Sequence, residues 1–179
     1  MMRFFGQSIF VFLAAMTALP AQAQPVPDKD RCRAEEGFRQ QDFTLGEWDV
    51  YAGEVKIAEV RMEPVLRDCA IEEHWTVTGG RETGNGIGLF SYSPLHGDWG
   101  YHWASDTGST SRFRGERVGP GEMRYVTRQP APEAEGGVRV RHWTLTAMPD
   151  GTIRELSRGS EDDGEHWTIE YDLKWVRKK

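Results

Sequence analysis

The stretch EHWTIEYDLKWV, Glu165–Val176, decides the fold. Its large apolar residues occupy every second position, and polar residues fill the positions between them. The apolar set is Trp167, Ile169, Tyr171, Leu173 and Trp175. Side chains alternate between the two faces of a β-strand, whereas an α-helix repeats about every 3.6 residues. The pattern therefore predicts a strand that is buried on one face.

The same alternation recurs along the chain after Asp42. In CAIEEHWTV (Cys69–Val77) and DWGYHWAS (Asp98–Ser105), aromatic and β-branched residues again alternate with polar ones. Clusters of Gly, Pro, Asp and Asn separate these runs at short intervals, as turns between antiparallel strands require. The predicted strands lie near 44–52, 55–65, 69–79, 86–93, 98–104, 109–117, 121–128, 137–147, 151–158 and 165–177.

About ten hairpin-linked strands, each with one apolar face, must bury that face in a barrel or in a two-sheet sandwich. The many large aromatic residues on the buried face favour the barrel, because a ring of Trp and Tyr needs a wide interior. A barrel of this size holds its own side chains and one small ligand. We therefore predict an all-β fold, a single antiparallel up-and-down barrel.

The segment SEDDGEHW, Ser160–Trp167, fits the S-x-D-x-G-x-x-W pattern that marks blade hairpins in sialidase-type propellers. A propeller repeats the pattern blade by blade, and this chain contains one match. Structural roles explain the motif instead: Asp162 accepts hydrogen bonds within a turn, Gly164 provides a permissive φ, and Trp167 packs over the hairpin. The segment predicts a rigid turn and not a sialidase.

The first strand contains G-x-W at Gly46 and Trp48, as the first strand of lipocalins does. The ordered blocks LGEWDV, CAIEEHW, GIGLFSYSPLHGDWGYHW, RFRG, VRHWTL and SEDDGEHWTIEYDLKWVRK resemble uncharacterised secreted bacterial domains described as lipocalin-like. This resemblance covers most of Phe43–Arg177. It implies that Trp48 plugs the closed end of the barrel, covered by Arg177 or Lys174 from the last strand. It implies no established activity.

The N-terminus has the order of a secretory signal. Arg3 precedes an apolar core, Phe4–Ala15, and the small-residue triplet Ala21–Gln22–Ala23 follows. The core is too short to span a bilayer, which favours a cleaved signal over a retained membrane anchor. We predict cleavage after Ala23 and a periplasmic or secreted location, with no stable membrane anchor after cleavage. The predicted divisions are a signal over 1–23, an N-terminal lead with a short helix over 24–41, and a lipocalin-like barrel over 42–179.

The cysteine count predicts how the thiols are used, and the net charge argues against one class of partner. Cys32 and Cys69 are the two cysteines of the chain, and an even count in an oxidising compartment predicts one disulfide. Two free thiols or a half-built metal site are the alternatives, although no C-x-x-C or paired His spacing supports a metal. The net charge of −6 makes nucleic acid a poor partner.

No nucleophile elbow, zinc-protease motif or phosphate loop is present in the sequence. We expect no cofactor, no metal and no assigned catalytic residue. Alternation instead predicts a set of inward residues as candidates for contacting a ligand. They are Glu73, Trp75, Tyr101, Trp103, Phe113, Tyr125 and Tyr171.

Glu73 is the acidic residue that alternation places on an apolar face, beside Ile71, Trp75 and Val77. A carboxylate inside a barrel is costly unless it is paired or protonated. Three outcomes stay open: an ion pair with an inward arginine, a ligand-orienting role in a wet pocket, and protonation with a raised pKa. The ion pair is the favoured interpretation. Examples of arginines that could form it are Arg112, Arg114 and Arg124.

The leading functional hypothesis is an exported, non-enzymatic protein that binds a small apolar or amphipathic molecule. One alternative is an isomerase or hydrolase that uses Glu73 as a general base, which requires a perturbed carboxyl beside a hydrogen-bonded partner in an open cavity. The other is an envelope interaction module with a filled core. Ligand identity and oligomeric state stay open at this point.

Overall fold

The computed structural model describes residues 30–79, 84–130 and 137–179. The predicted signal, its cleavage site and the beginning of the N-terminal lead lie outside the described residues. Within the described ranges, no helix is both long enough and apolar enough to cross a membrane.

Ten antiparallel strands form one closed barrel. Each strand pairs with its neighbours along the chain, and the first strand pairs with the last. The short helix α1 (Arg31–Ala34) and two 3₁₀ turns, Glu36–Arg39 and Asp42–Thr44, precede the barrel. The strands are β1 (Gly46–Ala52), β2 (Val55–Val65), β3 (Ala70–Val77), β4 (Gly86–Ser93), β5 (Asp98–Ser105), β6 (Thr110–Gly119), β7 (Glu122–Pro130), β8 (Val138–Ala147), β9 (Ile153–Ser160) and β10 (Thr168–Arg177). The predicted fold class and strand number are confirmed.

The meander gives the barrel two different ends. The turns that follow β2, β4, β6 and β8 lie at the end where β1 begins, and the remaining strand connections lie at the opposite end. We refer to these as the closed end and the open end.

The closed end is sealed by the interaction that the resemblance implied. Trp48 is 1% exposed, and the guanidinium carbon of Arg177 lies 4.2 Å from its ring centroid. The Trp48 indole donates a hydrogen bond of 2.8 Å to the carbonyl of Thr44, and Arg177 donates one of 3.1 Å to the carbonyl of Leu45. Arg177 is therefore the covering residue. Lys174 instead forms an exposed ion pair with Asp150.

The N-terminal lead packs against the closed end as well. The Phe38 ring meets the Tyr92 ring edge to face, with centroids 5.1 Å apart. Gln40 accepts a hydrogen bond of 3.1 Å from the Trp99 indole. Gln41 is wholly buried and accepts a hydrogen bond from the Tyr125 hydroxyl. The lead thus inserts polar side chains between core aromatics.

The predicted disulfide between Cys32 and Cys69 is confirmed. It joins α1 to the β2–β3 turn with a Cα–Cα distance of 4.9 Å. An ion pair between Arg33 and Asp68, and a 2.7 Å hydrogen bond from Arg39 to the Asp68 carbonyl, lie beside it. The disulfide therefore gives the lead a second covalent link to the barrel, in addition to the chain itself.

The SEDDGEHW segment connects β9 to β10 as a turn, as predicted. Asp162 accepts a hydrogen bond of 2.9 Å from the His166 backbone and one of 2.7 Å from the Ser160 hydroxyl. Gly164 adopts φ +95°, and its carbonyl accepts a 3.0 Å hydrogen bond from the Trp167 indole.

The prediction that all five apolar residues of Glu165–Val176 share one face is wrong for the first two. A bulge interrupts the β9–β10 pairing between Ile169 and Tyr171. Ile169 is 64% exposed, and the half-buried Trp167 stacks on His142 with a centroid distance of 4.3 Å. One extra residue reverses the face of everything before it, so inward alternation holds only from Tyr171 onward.

Both the backbone conformation and the Trp48–Arg177 seal exclude a side chain at Gly46. Its φ is +120°, and a Cβ atom there would lie 2.4 Å from Nη1 of Arg177. Gly53 also has a positive φ, but a Cβ atom there would contact nothing within 4 Å. We expect Gly46→Ala to lower the free energy of unfolding by about 2–4 kcal/mol, and Gly53→Ala by about 1 kcal/mol. Urea denaturation measures both losses of unfolding free energy. Equal losses in the two variants would contradict the view that Gly46 tolerates a side chain less well than Gly53.

Removal of the disulfide should also destabilise the fold. The bridge spans a sequence separation of 37 residues. The chain-entropy relation then gives the double variant Cys32→Ala/Cys69→Ala a loss of about 3–4 kcal/mol. Thermal melting of the variant, compared with wild type kept without reductant, measures this. Wild-type stability in the double variant would contradict a stabilising role.

Candidate functional site

The open half of the barrel contains a cavity of about 230 Å³ that opens to solvent at the open end. Inward side chains from β3, β5, β6, β8, β9 and β10 form its wall. The lining residues are Glu73, Trp75, Gly84, Tyr101, Trp103, Ser111, Phe113, Arg141, Trp143, Glu155, Tyr171 and Leu173. Every candidate ligand residue from the sequence lines this cavity except Tyr125, which is wholly buried.

Six of the twelve lining residues are aromatic, and several of their rings pack against one another. The Tyr101 and Trp143 centroids lie 4.7 Å apart, and Phe113 lies 5.7 Å from Trp143 and 6.0 Å from Tyr101. Such tilted and edge-to-face pairs hold the rings in fixed orientations. These rings therefore give the wall a preformed aromatic surface, beside the polar side chains of Glu73, Glu155, Arg141 and Ser111.

Two glycines of β4 make room for the larger side chains. A Cβ atom on Gly86 would lie 2.1 Å from the Trp103 ring. One on Gly88 would lie 2.5 Å from a carboxyl oxygen of Glu73 and 2.6 Å from the Tyr101 ring. The alternating glycines of GNGIGLF are thus places where neighbouring side chains cross over the backbone.

Glu73 faces inward, as the alternation predicted. Its side chain is 2% exposed, and its Oε2 atom accepts a hydrogen bond of 2.7 Å from the Tyr101 hydroxyl. Burial raises the pKa of Glu73 to about 8; the Tyr101 hydrogen bond opposes this shift, and the nearby charge of Glu155 adds to it. At neutral pH the Glu73 side chain is therefore largely protonated.

The favoured interpretation of Glu73 as half of an ion pair is wrong. Arg112 and Arg114 are exposed, and Arg114 pairs with Asp98 on the outer surface. Arg124 lies 4.0 Å from Glu116, also outside. All three alternate with inward residues of β6 and β7, so strand geometry turns them away from the cavity.

A second inward carboxyl, Glu155 on β9, was missed by the sequence analysis. It is 4% exposed and accepts hydrogen bonds from the indoles of Trp143 at 2.9 Å and Trp175 at 2.7 Å. Apolar residues occur on both faces of β9, Ile153 inside and Leu156 outside, which hid the alternation. The signal that could have revealed it is the need of buried indole N–H groups for an acceptor.

Charged side chains also gather at the mouth of the cavity. The bulge in β10 turns Glu170 inward, where it accepts hydrogen bonds from Arg139 at 2.9 Å, Arg141 at 3.0 Å and Ser157 at 2.7 Å. Burial opposes the ionisation of Glu170, but these hydrogen bonds outweigh it and lower its pKa. Arg139 also pairs with Glu161 at 3.1 Å. The arginines of the mouth are thus matched by carboxylates.

Three potential metal ligands meet in the described part of the chain, at Asp162, Glu165 and His166. All three are exposed and belong to the β9–β10 turn. Asp162 is already occupied by hydrogen bonds to the His166 ring and backbone. The turn itself explains this cluster, and we assign it no metal.

Comparison of the chain with models of known protein families gives no match, and comparison with curated proteins gives none either.

The buried carboxyl of Glu73 makes the folded state less stable as the pH rises. Folding raises the pKa of Glu73 from its ordinary 4.5 to about 8, so the folded state binds the proton more tightly than the unfolded state. The stabilisation that comes from this tighter proton binding is fully present below about pH 4.5 and is lost as the pH rises to about 8. Glu73→Gln removes the titration and keeps the shape of the side chain.

As the pH rises from 5 to 8.5, we expect the free energy of unfolding of Glu73→Gln to increase relative to that of the wild type by about 3–5 kcal/mol. Urea denaturation at several pH values measures the difference. Glu72→Gln is the matched control, because Glu72 lies next to Glu73 and pairs on the outer surface with His74. A variant profile that parallels wild type would show that Glu73 is not the titrating group.

Proposed function

We propose that this protein is an exported, lipocalin-like carrier or receptor that binds a small apolar or amphipathic molecule in the open half of its barrel. The observation that carries the proposal is the cavity itself, where an aromatic wall surrounds the buried Glu73–Tyr101 pair. Binding sites for small molecules commonly combine an apolar lining with a few polar groups that orient the ligand.

The cavity volume limits the size of the ligand. About 230 Å³ lies below the roughly 300–1,000 Å³ of sites for drug-sized molecules. The closed half below it is filled by Trp48, Trp99 and Trp175, each at most 1% exposed. A long retinoid-like ligand therefore does not fit, and a molecule built around one ring does.

Export and lipocalin-like character have separate support. The Cys32–Cys69 disulfide suits an oxidising compartment. The Trp48–Arg177 stack on the first and last strands matches the closure that the G-x-W resemblance implied. Together with the N-terminal signal pattern, these features favour a periplasmic or secreted binding protein.

Glu73 also supports a second candidate function, an enzyme that transfers protons within the cavity. A carboxyl with a pKa of about 8 is protonated near neutral pH and can serve as a general acid. Tyr101 is its hydrogen-bonded partner, and the cavity reaches solvent. The third hypothesis, an interaction module with a filled core, has less support because the open half is not filled.

Binding can be tested with benzyl alcohol, a neutral amphipathic probe with one ring. Ser111→Phe places a ring inside the cavity that Ser111 lines. We expect it to weaken benzyl alcohol binding by about tenfold or more, since overfilling a packed site costs ~1–3 kcal/mol.

The matched control is His102→Phe, which adds a ring at an exposed position on the neighbouring strand β5. It should leave the affinity at the wild-type value. NMR titration measures the dissociation constants. Wild-type affinity in Ser111→Phe would contradict binding in this cavity, as would absence of binding to the wild type.

A further inference from the structure

The volume of the cavity limits the size of the ligand, and its polar groups indicate the charge of the ligand. We propose that the ligand is an organic ammonium ion with one ring, whose cationic group lies between the Glu73 carboxylate and the aromatic wall. This inference rests on the proposed function, because it assigns a chemical class to the ligand of the same cavity.

The first observation is that Glu73 lacks a basic partner. Among the described residues, the contact that reaches its carboxyl is the Tyr101 hydroxyl at 2.7 Å. A buried carboxylate without a counter-charge is costly to the protein. A cation that enters the cavity would supply the counter-charge that Glu73 does not receive from a basic side chain.

The second observation is the composition of the wall. Trp75, Trp103, Phe113 and Trp143 all line the cavity. Aromatic faces attract a cation through the negative charge of their π-systems, and Trp does so most strongly. Ammonium groups are recognised by such aromatic surfaces when the site is desolvated. Glu73 and the wall thus favour the same ligand charge.

The third observation is that an anionic ligand would be repelled. Glu155, a second carboxyl of the wall, is 4% exposed and raises the pKa of Glu73 by its charge. Arg141 is the basic residue of the lining, and its guanidinium is bonded to Glu170 at 2.6 Å and 3.0 Å. The positive charge at the mouth is therefore neutralised before a ligand arrives.

Binding of a cation should be coupled to loss of a proton. Glu73 is largely protonated in the empty cavity near neutral pH, and a neighbouring ammonium favours its ionised form. The affinity for a fixed cation should consequently increase as the pH rises toward about 8. The other titratable or charged groups that face Glu73 or share its cavity are Tyr101 on β5, Tyr125 on β7, Arg141 on β8, Glu155 on β9 and Tyr171 on β10.

The experiment compares three probes with one ring each: benzyltrimethylammonium, benzyl alcohol and benzoate. Their charges stay constant between pH 6 and pH 8.5. At pH 8.5 we expect the cation to bind at least about tenfold more tightly than the alcohol, and benzoate to bind most weakly. The advantage of the cation should shrink by about tenfold at pH 6, where Glu73 keeps its proton.

Glu73→Gln should reduce the preference for the cation to the part that the aromatic wall and Glu155 supply, and should remove its pH dependence. Near-UV circular dichroism verifies that the variant is folded. Glu72→Gln, on the outer face of the same strand, should behave as wild type. Benzyl alcohol binding without any advantage for the cation would overturn this inference and leave the proposed function standing. Absence of binding by all three probes would overturn both.

Discussion

The stack of Arg177 on Trp48 crosses the seam where the barrel closes. The two residues are direct partners in the β1–β10 pairing, at opposite ends of the strand order. Arg177 covers the indole at 4.2 Å and holds the Leu45 carbonyl, so one side chain joins the last strand to the segment before the first. A side chain at Gly46 would enter the space that the guanidinium occupies. Once the seam is fixed, strand pleating determines which side chains of all ten strands face inward.

The barrel is divided into a filled half and a half-empty one. At the closed end, Trp48, Trp99 and Trp175 fill the interior, and the N-terminal lead supplies Gln41 from outside the sheet. In the open half, inward glycines on β4 leave space that aromatic rings only partly occupy. The filled end thus supports a preformed cavity at the other end, and Glu73, whose carboxyl would destabilise a filled core, lies in the wall of that cavity.

The sequence predicted the fold well because period-2 alternation is a local property. Alternation predicted that Glu73 faces inward, and the lipocalin resemblance implied that Trp48 lies at the closed end. Both residues are buried in the structure. Alternation failed for Ile169, because a bulge between two strands depends on their pairing and leaves no mark in one strand alone. Glu155 was missed because β9 has apolar residues on both faces, so its alternation does not show which face is inward. The ion-pair interpretation was avoidable: with Phe113 inward, the same alternation turns Arg112 outward.

The seam also determines how the chain can fold. Nine of the ten pairings join strands that are neighbours in sequence, and only β1–β10 joins the two ends of the domain. Local hairpins form early, and a contact with a long loop to close forms late. We therefore expect the β1–β10 pairing to form last, which leaves two sheet edges unpaired until then. Unpaired edges invite aggregation, and charged residues that face outward reduce this hazard. Asp172 and Lys174 on β10, and Glu47 and Asp49 on β1, lie along those edges, so the two edges that meet last both carry charge on their outer faces.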